Sequence, residues 1–276
     1  MGQYNLVIDL DPQGNATTGF GKNNNDEVNN IYNLLIKKIS LRDSIQKTNI
    51  ENLDIIGSHV NLSGLEVETA SDSKRAFTLK EILFNDKNST LQKYDNIFID
   101  CPPSLGMLTL NAFSASREIF IPLQAHFLSL QGLSQLLEML LLVNKRINPN
   151  LTVSGLLFCM FDARTSLSAE ILKDITTFFE EQRDQESPWQ HIKLFDTKIR
   201  RNIKLAEAPS YGVCIFDYAL ESNGAQDYLS LANEVIAMDQ ADAQEITLEA
   251  LQSKIKIQNK EKNIIDGVGL AQASPS

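Results

Sequence analysis

The sequence predicts an α/β protein with a doubly wound, mainly parallel sheet flanked by helices. Along the 276 residues, short runs of apolar and β-branched residues alternate with longer segments of helical periodicity. Some short runs are apolar throughout, as at Ile97-Phe98-Ile99, which is typical of parallel strands buried on both faces. With 43% hydrophobic and 22% charged residues, the chain has the composition of a globular protein.

The same patterns place each element along the chain. Strands are expected at 4–9, 53–57, 94–100, 118–123, 153–160 and 191–196, and helices at 28–37, 74–85, 108–115, 130–147, 168–182 and 225–238. In the helix at 130–147, several leucines recur at helical spacing, which favours a face packed into the core over a groove for a partner. They are Leu133, Leu136, Leu137, Leu140 and Leu141. We therefore expect one domain over residues 1–238 and a polar, flexible tail over 239–276.

Charge and cysteine content exclude several classes of protein. The 25 Lys and Arg residues against 35 Asp and Glu residues give a net charge of -10, so any nucleic-acid binding needs a local basic patch. Cys101, Cys159 and Cys214 lie far apart in apolar surroundings, which favours reduced thiols over a disulfide framework or a zinc site. The longest apolar run, Leu156–Phe161, is far shorter than the roughly 20 residues of a membrane span, and no export signal is evident, so a cytoplasmic protein is expected.

Two carboxylates follow the first predicted strand, in the segment Leu6–Gly19. In an open parallel sheet, ligands bind beyond the carboxyl ends of the strands, which is where Asp9 and Asp11 lie. Their alternation puts both on the same side of an extended chain. A solvated strand end with an Asp-Pro turn is the alternative. The Gly- and Thr-rich continuation favours a binding site.

A third carboxylate, Asp100, ends the strand at 94–100 and is followed by Cys-Pro-Pro-Ser. An acid at the tip of an apolar strand is the Walker B type of arrangement, in which the carboxylate orients a magnesium-bound water beside nucleotide phosphates. A strand that ends in Asp is common by itself. The Cys-Pro-Pro-Ser sequence that follows it is uncommon, and it favours a nucleotide-binding site.

A further motif, Ile199–Gly212, contains Glu-Ala-Pro-Ser-Tyr-Gly. Together with the carboxylate motifs, and with Gln131–Leu136 and Asp162–Thr165, it resembles the ParA/Soj family of chromosome- and plasmid-partitioning ATPases, the deviant-Walker branch that includes MinD. The resemblance runs from about residue 4 to 238. It implies ATP and Mg²⁺ as cofactors, a homodimer in the ATP-bound state, nonspecific DNA binding on the nucleoid, and ATP hydrolysis stimulated by a ParB-like partner.

The resemblance also implies roles for single residues. Asp11 matches the acid that orients the attacking water, and Asp9 and Asp100 match those that hold the hydration shell of Mg²⁺, with structural capping as the alternative for Asp9. The residues matched to the adenine pocket are Glu207 and Pro209 on one side, and Met160 and Asp162 on the other. A plain core role is the alternative for Met160.

Basic residues near the end of the matched region suit a DNA surface. Arg164 and Lys204 match residues that hold DNA without base readout, and Arg201 belongs to the surrounding basic positions, together with Lys193, Lys198 and Arg200. A solvated charged face is the alternative. Arg200 stands where relatives usually have proline, which is a departure from the family pattern.

One family motif is missing from the sequence. Family members begin with a strand and the phosphate-binding loop K-G-G-x-G-K-T-T, and Gly14, Gly19, Gly21 and Lys22 do not form that loop. We therefore expect an N-terminally truncated P-loop NTPase-like fold, in which the neighbours of a missing central strand expose backbone groups and an apolar groove.

Two other functions stay open at this point. One is a non-catalytic, truncated remnant that does not bind ATP by itself. The other is a MinD-like membrane-surface ATPase, but the segment 246–262 has only a modest apolar face and mixes its lysines with glutamates. The Asp162–Thr165 motif favours the DNA-binding reading over the membrane one, so no membrane partner is expected.

Overall fold

The computed structural model describes residues 2–125, 127–162, 164–182, 186–238 and 240. The chain divides into two compact units, residues 1–228 and 229–276. In the second unit, residues 229–238 are helical. Apart from residue 240, the predicted tail at 239–276 lies outside the described residues. All elements named below belong to the first unit.

Seven strands form two sheets in the described residues. They are β1 (Asn5–Asp9), β2 (Gln46–Lys47), β3 (Leu53–Ile56), β4 (Asn96–Asp100), β5 (Glu118–Gln124), β6 (Thr152–Cys159) and β7 (Lys193–Leu194). The first sheet has the order β2-β3-β1-β4 and the second the order β5-β6-β7. Every pairing is parallel except the antiparallel edge pair of β2 with β3. The expected doubly wound, mainly parallel α/β class is confirmed.

Helices connect most of these strands. They are α1 (Asn15–Gly19), α2 (Ile31–Leu35), α3 (Leu41–Ser44), α4 (Leu65–Glu68), α5 (Thr78–Phe84), α6 (Met107–Ala115), α7 (Phe127–Arg146), α8 (Ser166–Gln182), α9 (Ile203–Glu207) and α10 (Ile215–Ala219). Short 3₁₀ turns lie at Val60–Gly64, Arg75–Phe77, Thr90–Lys93 and Ala208–Tyr211. Helical backbone resumes at residue 223. In the described residues, no helix combines the length and the apolar character that crossing a membrane requires.

The ends of several elements differ from those predicted. The strand expected at 191–196 pairs only over Lys193–Leu194. The helix expected from residue 28 begins at Ile31, because the Asn30 side chain accepts the Asn33 N–H at 2.8 Å and caps the first turn. The two-residue strand β2 was not predicted, since its residues, Gln46 and Lys47, carry no apolar alternation.

Each sheet has its own buried cluster of apolar side chains, and α6 contributes to both. Leu6 and Ile8 of β1 lie in the cluster of the first sheet, and Leu156 of β6 lies in that of the second. On α6, Ala112 belongs to the first cluster and its neighbour Phe113 to the second. The helix that links β4 to β5 therefore packs across both sheets.

The neighbouring strands β4 and β5 are not paired with each other in the described residues. There β4 pairs with β1 and β5 with β6. Their apolar residues are unusually accessible, with Ile97 37% exposed, Phe98 49% and Phe120 38%. By contrast, Leu6 and Ile8 in β1 are completely buried. The apolar run that predicted a strand buried on both faces thus lies at an edge of the sheet that the described residues form.

Candidate functional site

Three carboxylates meet at the carboxyl end of the first sheet. Asp9 and Asp100 are register partners on the parallel strands β1 and β4, and Asp11 follows two residues after β1. The Leu10 N–H donates to the Asp100 carbonyl oxygen at 2.8 Å, which holds the two strand ends together. The pairing therefore brings together all three acids that the sequence predicted for the site.

Asp9 is completely buried and fastens the loop that leaves β1. Its Oδ2 accepts the Thr17 N–H at 2.8 Å and the Thr17 hydroxyl at 2.7 Å, and its Oδ1 accepts the Asp11 N–H at 3.1 Å. Gly14 turns the chain into α1 with a φ of 64°, where a Cβ would lie 2.9 Å from the Asn24 Cβ. Asp9 therefore holds the first turn of α1 through Thr17, which is compatible with the structural alternative. Its contact with a magnesium hydration shell stays a prediction.

Burial and neighbouring carboxylates raise the pKa values of Asp9 and Asp100. Burial, followed by the charges of Asp9 and Asp11, raises the pKa of Asp100 to about 6, although the residue itself lies at an accessible strand end. Burial also raises the pKa of Asp9, against the hydrogen bonds from Thr17 that lower it. No cationic side chain is among the groups that shift the pKa values of Asp9 and Asp100, so negative charge is concentrated at this end of the sheet. Such a site favours binding of a cation.

The loop that carries Glu207 and Pro209 packs against the chain that follows Asp11. Gly21 and Gly212 both have positive φ and approach so closely that a Cβ on Gly21 would lie 3.1 Å from the Gly212 carbonyl oxygen. A Cβ on Gly19 would lie 4.0 Å from the Pro209 Cβ. The two loops therefore lie side by side, and Pro209 lies next to the end of α1, the helix whose Thr17 is hydrogen-bonded to Asp9.

Glu207 is charged and held by two donors. Its Oε2 accepts the Lys204 ammonium at 2.9 Å and the Tyr218 hydroxyl at 2.9 Å. These hydrogen bonds, that of Lys204 first, lower the pKa of Glu207. Tyr218 also stacks on Tyr211, with ring centroids 5.3 Å apart. The segment α9 to α10 thus presents a carboxylate beside a pair of aromatic rings.

Phe161 forms a parallel bridge with Arg200, so the chain around Phe161 lies next to residues 199–201. Met160 is 61% exposed and has a φ of 49°, so the alternative core role for Met160 is wrong. Asp162 forms a bidentate pair with Arg164, at 2.9 Å to Nε and 2.8 Å to an Nη, and this pairing lowers the pKa of Asp162 to about 2.

Arg200 is anchored rather than available for a ligand. Its backbone N–H, its Nε and an Nη all donate to the largely buried carboxylate of Asp227, at 2.7 to 3.1 Å. Arg201 next to it is exposed and contributes to the low pKa of Asp162. The bridge therefore brings Arg201 beside the Asp162–Arg164 pair, and Lys204 follows in α9.

Comparison with known proteins decides the family. Residues 1–153 match the family model described as an AAA domain. The chain is 41% identical over 237 residues to the sporulation initiation inhibitor protein Soj of Bacillus subtilis, covering 86% of this chain and 88% of that protein. It is 40% identical over 238 residues to the chromosome-partitioning ATPase Soj of Treponema pallidum, covering 86% and 87%. This chain belongs to the ParA/Soj family.

A solved structure is also similar to this one. It is cobyrinic acid a,c-diamide synthase of Mycobacterium smegmatis with bound ADP and magnesium. The TM-score is 0.68 and the sequence identity is 26%, and the match covers 87% of this chain and 84% of that one.

The acids of this ParA/Soj-family protein fit an indirectly held Mg²⁺. In the described residues, no group of three or more His, Cys, Asp or Glu side chains is arranged to hold a metal ion directly. Mg²⁺ in nucleotide sites keeps several waters and takes one or two carboxylates plus phosphate oxygens. Asp11 and Asp100 lie together at the strand ends and suit such a site. Burial, and then the charges of Asp9 and Asp11, disfavour the ionised form of Asp100, and a nearby cation would favour it.

Sequence reasoning missed three groups that organise the site. Thr17 satisfies Asp9 with two hydrogen bonds, Gly212 lets Pro209 approach the Asp11 loop, and Asp227 anchors Arg200. The Gly- and Thr-rich run after Asp11 was a signal for the first, and the Tyr-Gly dipeptide at 211–212 was a signal for the second. Asp227 had no local signal, because its partner lies 27 residues away.

Proposed function

We propose that this protein is a ParA-type partitioning ATPase. In this role it binds ATP with Mg²⁺, forms a homodimer, holds DNA without sequence preference, and hydrolyses ATP under stimulation by a ParB-like partner. The observation that carries the proposal is the cluster of Asp9, Asp11 and Asp100 at the end of two paired parallel strands, in a chain 40% identical to a chromosome-partitioning ATPase.

Each acid has a different task in this proposal. The Asp11 carboxylate, which caps the Gln13 N–H at 2.9 Å and lies at the accessible end of the loop, orients the attacking water. Asp100 accepts hydrogen bonds from magnesium-bound water, and Asp9 contributes chiefly by holding the loop through Thr17. When bound, Mg²⁺ supplies charge compensation for the phosphates.

The loops at the other side of the site position the base. Pro209, held close to Gly19, and the charged Glu207 flank the adenine, while the exposed Met160 and Asp162 close the opposite side. The backbone strain at Met160 supports a binding role, because positive φ at a non-glycine residue persists where the surroundings hold it.

DNA binding is assigned to Arg164, Lys204 and Arg201. In the structure Arg164 is paired with Asp162 and Lys204 with Glu207, so two of the three DNA cations touch an acid of the proposed adenine pocket. Exposed ion pairs of this kind contribute roughly 0 to 1 kcal/mol, so phosphates can replace the carboxylates at little cost. The contacts suit backbone binding without base readout.

The test compares two polypeptides, the 276-residue chain and a fusion that adds the strand and phosphate loop of Soj from Bacillus subtilis. The chain without the loop should show no ATP turnover above background, because its acids add only negative charge beside the phosphates. The fusion should bind and hydrolyse ATP. In the fusion, Asp11→Ala should keep ATP binding and reduce turnover by about 100-fold or more.

Asp174→Ala in the fusion is the matched control, since Asp174 is an exposed aspartate on α8. It should leave turnover unchanged. If Asp11→Ala turns over ATP at the rate of the unmodified fusion, the assignment of Asp11 is wrong. Turnover by the 276-residue chain that is abolished by Asp11→Ala would show that the chain needs no added loop.

A further inference from the structure

We propose that Ser58 is a positioning residue that fixes the Asp11 carboxylate for its task in ATP hydrolysis. Ser58 follows β3 as Asp11 follows β1, and the parallel pairing of these strands brings the two residues together. The inference rests on the proposed function, because it takes Asp11 as the residue that orients the attacking water. Ser58 belongs to none of the sequence motifs that predicted the site.

The backbone of Asp11 is hydrogen-bonded on both sides of its Cα. Its N–H donates to Asp9 Oδ1 at 3.1 Å. Its carbonyl oxygen accepts the Gly14 N–H at 2.9 Å and the Ser58 hydroxyl, so both lone pairs of this oxygen are used. Pro12 follows, and a residue before proline is restricted to extended backbone. Together these restraints fix the direction in which the Asp11 side chain leaves the chain.

The contact from Ser58 reaches Asp11 from outside its own loop. Asp9 and Gly14 lie within three residues of Asp11 and would move with it, whereas Ser58 lies 47 residues further along the chain. Ser58 is 1% exposed, so water does not compete for its hydroxyl. A loop that is held only by its own residues can shift as a unit. A bond to the end of a neighbouring strand opposes that shift.

The backbone of Ser58 also restrains Asp9. The Ser58 N–H donates to Thr17 Oγ1 at 2.8 Å, and this hydroxyl donates to Asp9 Oδ2 at 2.7 Å. Gly57 permits the close approach, because a Cβ there would lie 3.2 Å from Thr17 Cγ2. Ser58 thus contacts Asp11 through its side chain and Thr17 through its backbone. A side-chain substitution removes the first contact and keeps the N–H of the second.

The position of the Asp11 carboxylate determines how it can orient a water molecule. One of its oxygens, Oδ1, accepts the Gln13 N–H at 2.9 Å, which ties the side chain to the same loop. A misplacement of about 1 Å can reduce turnover about 100-fold. Loss of the Ser58 hydroxyl would leave the Asp11 carboxyl group in the protein but place it less precisely. We therefore expect an effect on the chemical step and not on ATP affinity.

The first experiment follows amide hydrogen exchange by NMR in the 276-residue chain without nucleotide. In Ser58→Ala, the Gln13 and Gly14 amides should exchange about fivefold faster or more, because the loop opens more easily. The amides of β1 should keep their rates. Ser114→Ala is the matched control, since Ser114 is also 1% exposed and its hydroxyl donates to the Ala76 carbonyl oxygen at 2.8 Å. It should leave Gln13 and Gly14 unchanged.

The second experiment measures a single turnover of bound ATP in the fusion that carries the phosphate loop of Soj. The rate constant of a single turnover does not depend on the folded fraction, so a loss of stability alone would not change it. Ser58→Ala should lower this rate about tenfold or more and keep the Kd for ATP. Ser114→Ala should keep both. Ser58→Cys, with a similar volume but a weaker donor, tests the same position if Ser58→Ala does not fold.

Three results would overturn the proposal. They are an unchanged single-turnover rate in Ser58→Ala, an equal loss of rate in Ser114→Ala, and unchanged exchange of the Gln13 and Gly14 amides in Ser58→Ala. If the unmodified fusion does not hydrolyse ATP, the proposed function fails. The exchange rates of the 276-residue chain then still decide whether Ser58 holds the Asp11 loop.

Discussion

At the scale of single residues, neighbours decide what each carboxylate does. Asp9 and Asp100 are register partners, yet the oxygens of Asp9 accept three protein hydrogen bonds, while Asp100 has a pKa raised to about 6. The difference arises because Thr17 reaches Asp9 from the loop after β1. Equivalent positions on adjacent strands thus have different hydrogen-bonding surroundings.

The pKa of Asp100 predicts how pH affects stability. Its pKa in the folded state lies above the ordinary value of 3.8, so its contribution to stability is fully present below pH 3.8 and is lost as pH rises through about 6. Asp100→Asn should therefore increase the free energy of unfolding at pH 8 by about 1 kcal/mol. A shift of this size gives about 3 kcal/mol for a fully buried group, and solvent screening at the accessible strand end reduces it.

Urea unfolding of the wild-type chain and of Asp100→Asn at pH 4.5 and pH 8 measures this effect. The stabilisation should be smaller at pH 4.5 than at pH 8. Asp174→Asn, on the exposed face of α8, should show no such difference. A gain that is equal at both pH values would contradict the electrostatic cause.

At the scale of elements, a buried carboxylate joins three segments of the first sheet. Asp54 of β3 is almost fully buried and accepts hydrogen bonds from Lys47 of β2 at 3.0 Å, from Lys93 at 2.9 Å and from the Tyr94 hydroxyl at 2.6 Å. Burial alone would raise the pKa of Asp54, but these bonds outweigh it and lower the pKa. This network lies at the start of β3 and β4, opposite the carboxylate site.

Tyr94→Phe should lower the free energy of unfolding by about 2 kcal/mol, because it removes a hydrogen bond to a buried, charged acceptor. Tyr4→Phe is the matched control, since Tyr4 lies exposed before β1. It should change stability by about 0.5 kcal/mol or less. Urea denaturation at pH 7 compares the two variants, and equal losses would show that the network adds nothing to sheet stability.

At the scale of the whole molecule, the net charge of -10 opposes DNA binding, so the few cations assigned to DNA must act locally. Arg164, Arg201 and Lys204 come from two segments that the bridge of Phe161 with Arg200 brings together. Their carboxylate partners Asp162 and Glu207 are exposed enough to give way to phosphate.

DNA binding by the loop-restored fusion should require ATP, be independent of sequence and weaken steeply with salt. Arg164→Ala/Lys204→Ala should remove most of the binding, spare ATP binding, and reduce the slope of log affinity against log salt by about 2 per protomer. Lys38→Ala/Lys145→Ala, at two exposed lysines outside this surface, removes the same charge and should keep the slope.

A filter-binding salt titration measures all three proteins. Wild-type affinity in the Arg164→Ala/Lys204→Ala protein would exclude the proposed surface. Affinity that is lost only on deletion of residues 239–276 would assign DNA binding to the tail.

The sequence by itself determined the fold class, the order of most elements and the family. Apolar runs revealed β1, β3, β4, β5 and β6, and helical periodicity revealed α6, α7 and α8, because these elements are long enough for their own residues to carry the pattern. The sequence also predicted that Asp9, Asp11 and Asp100 belong to one site, since the carboxyl ends of parallel strands lie at the same edge of a sheet.

Only the tertiary structure decided which strands pair and what each polar group contacts. Within the part of the chain that the structure describes, β4 lies at a sheet edge, Asp9 accepts hydrogen bonds from Thr17, and Arg200 pairs with Asp227. Such pairings join residues that lie far apart along the chain or depend on the path of a loop. Local periodicity indicates which face of its own helix or strand a residue occupies. Burial and hydrogen bonding depend on which other elements pack against that face.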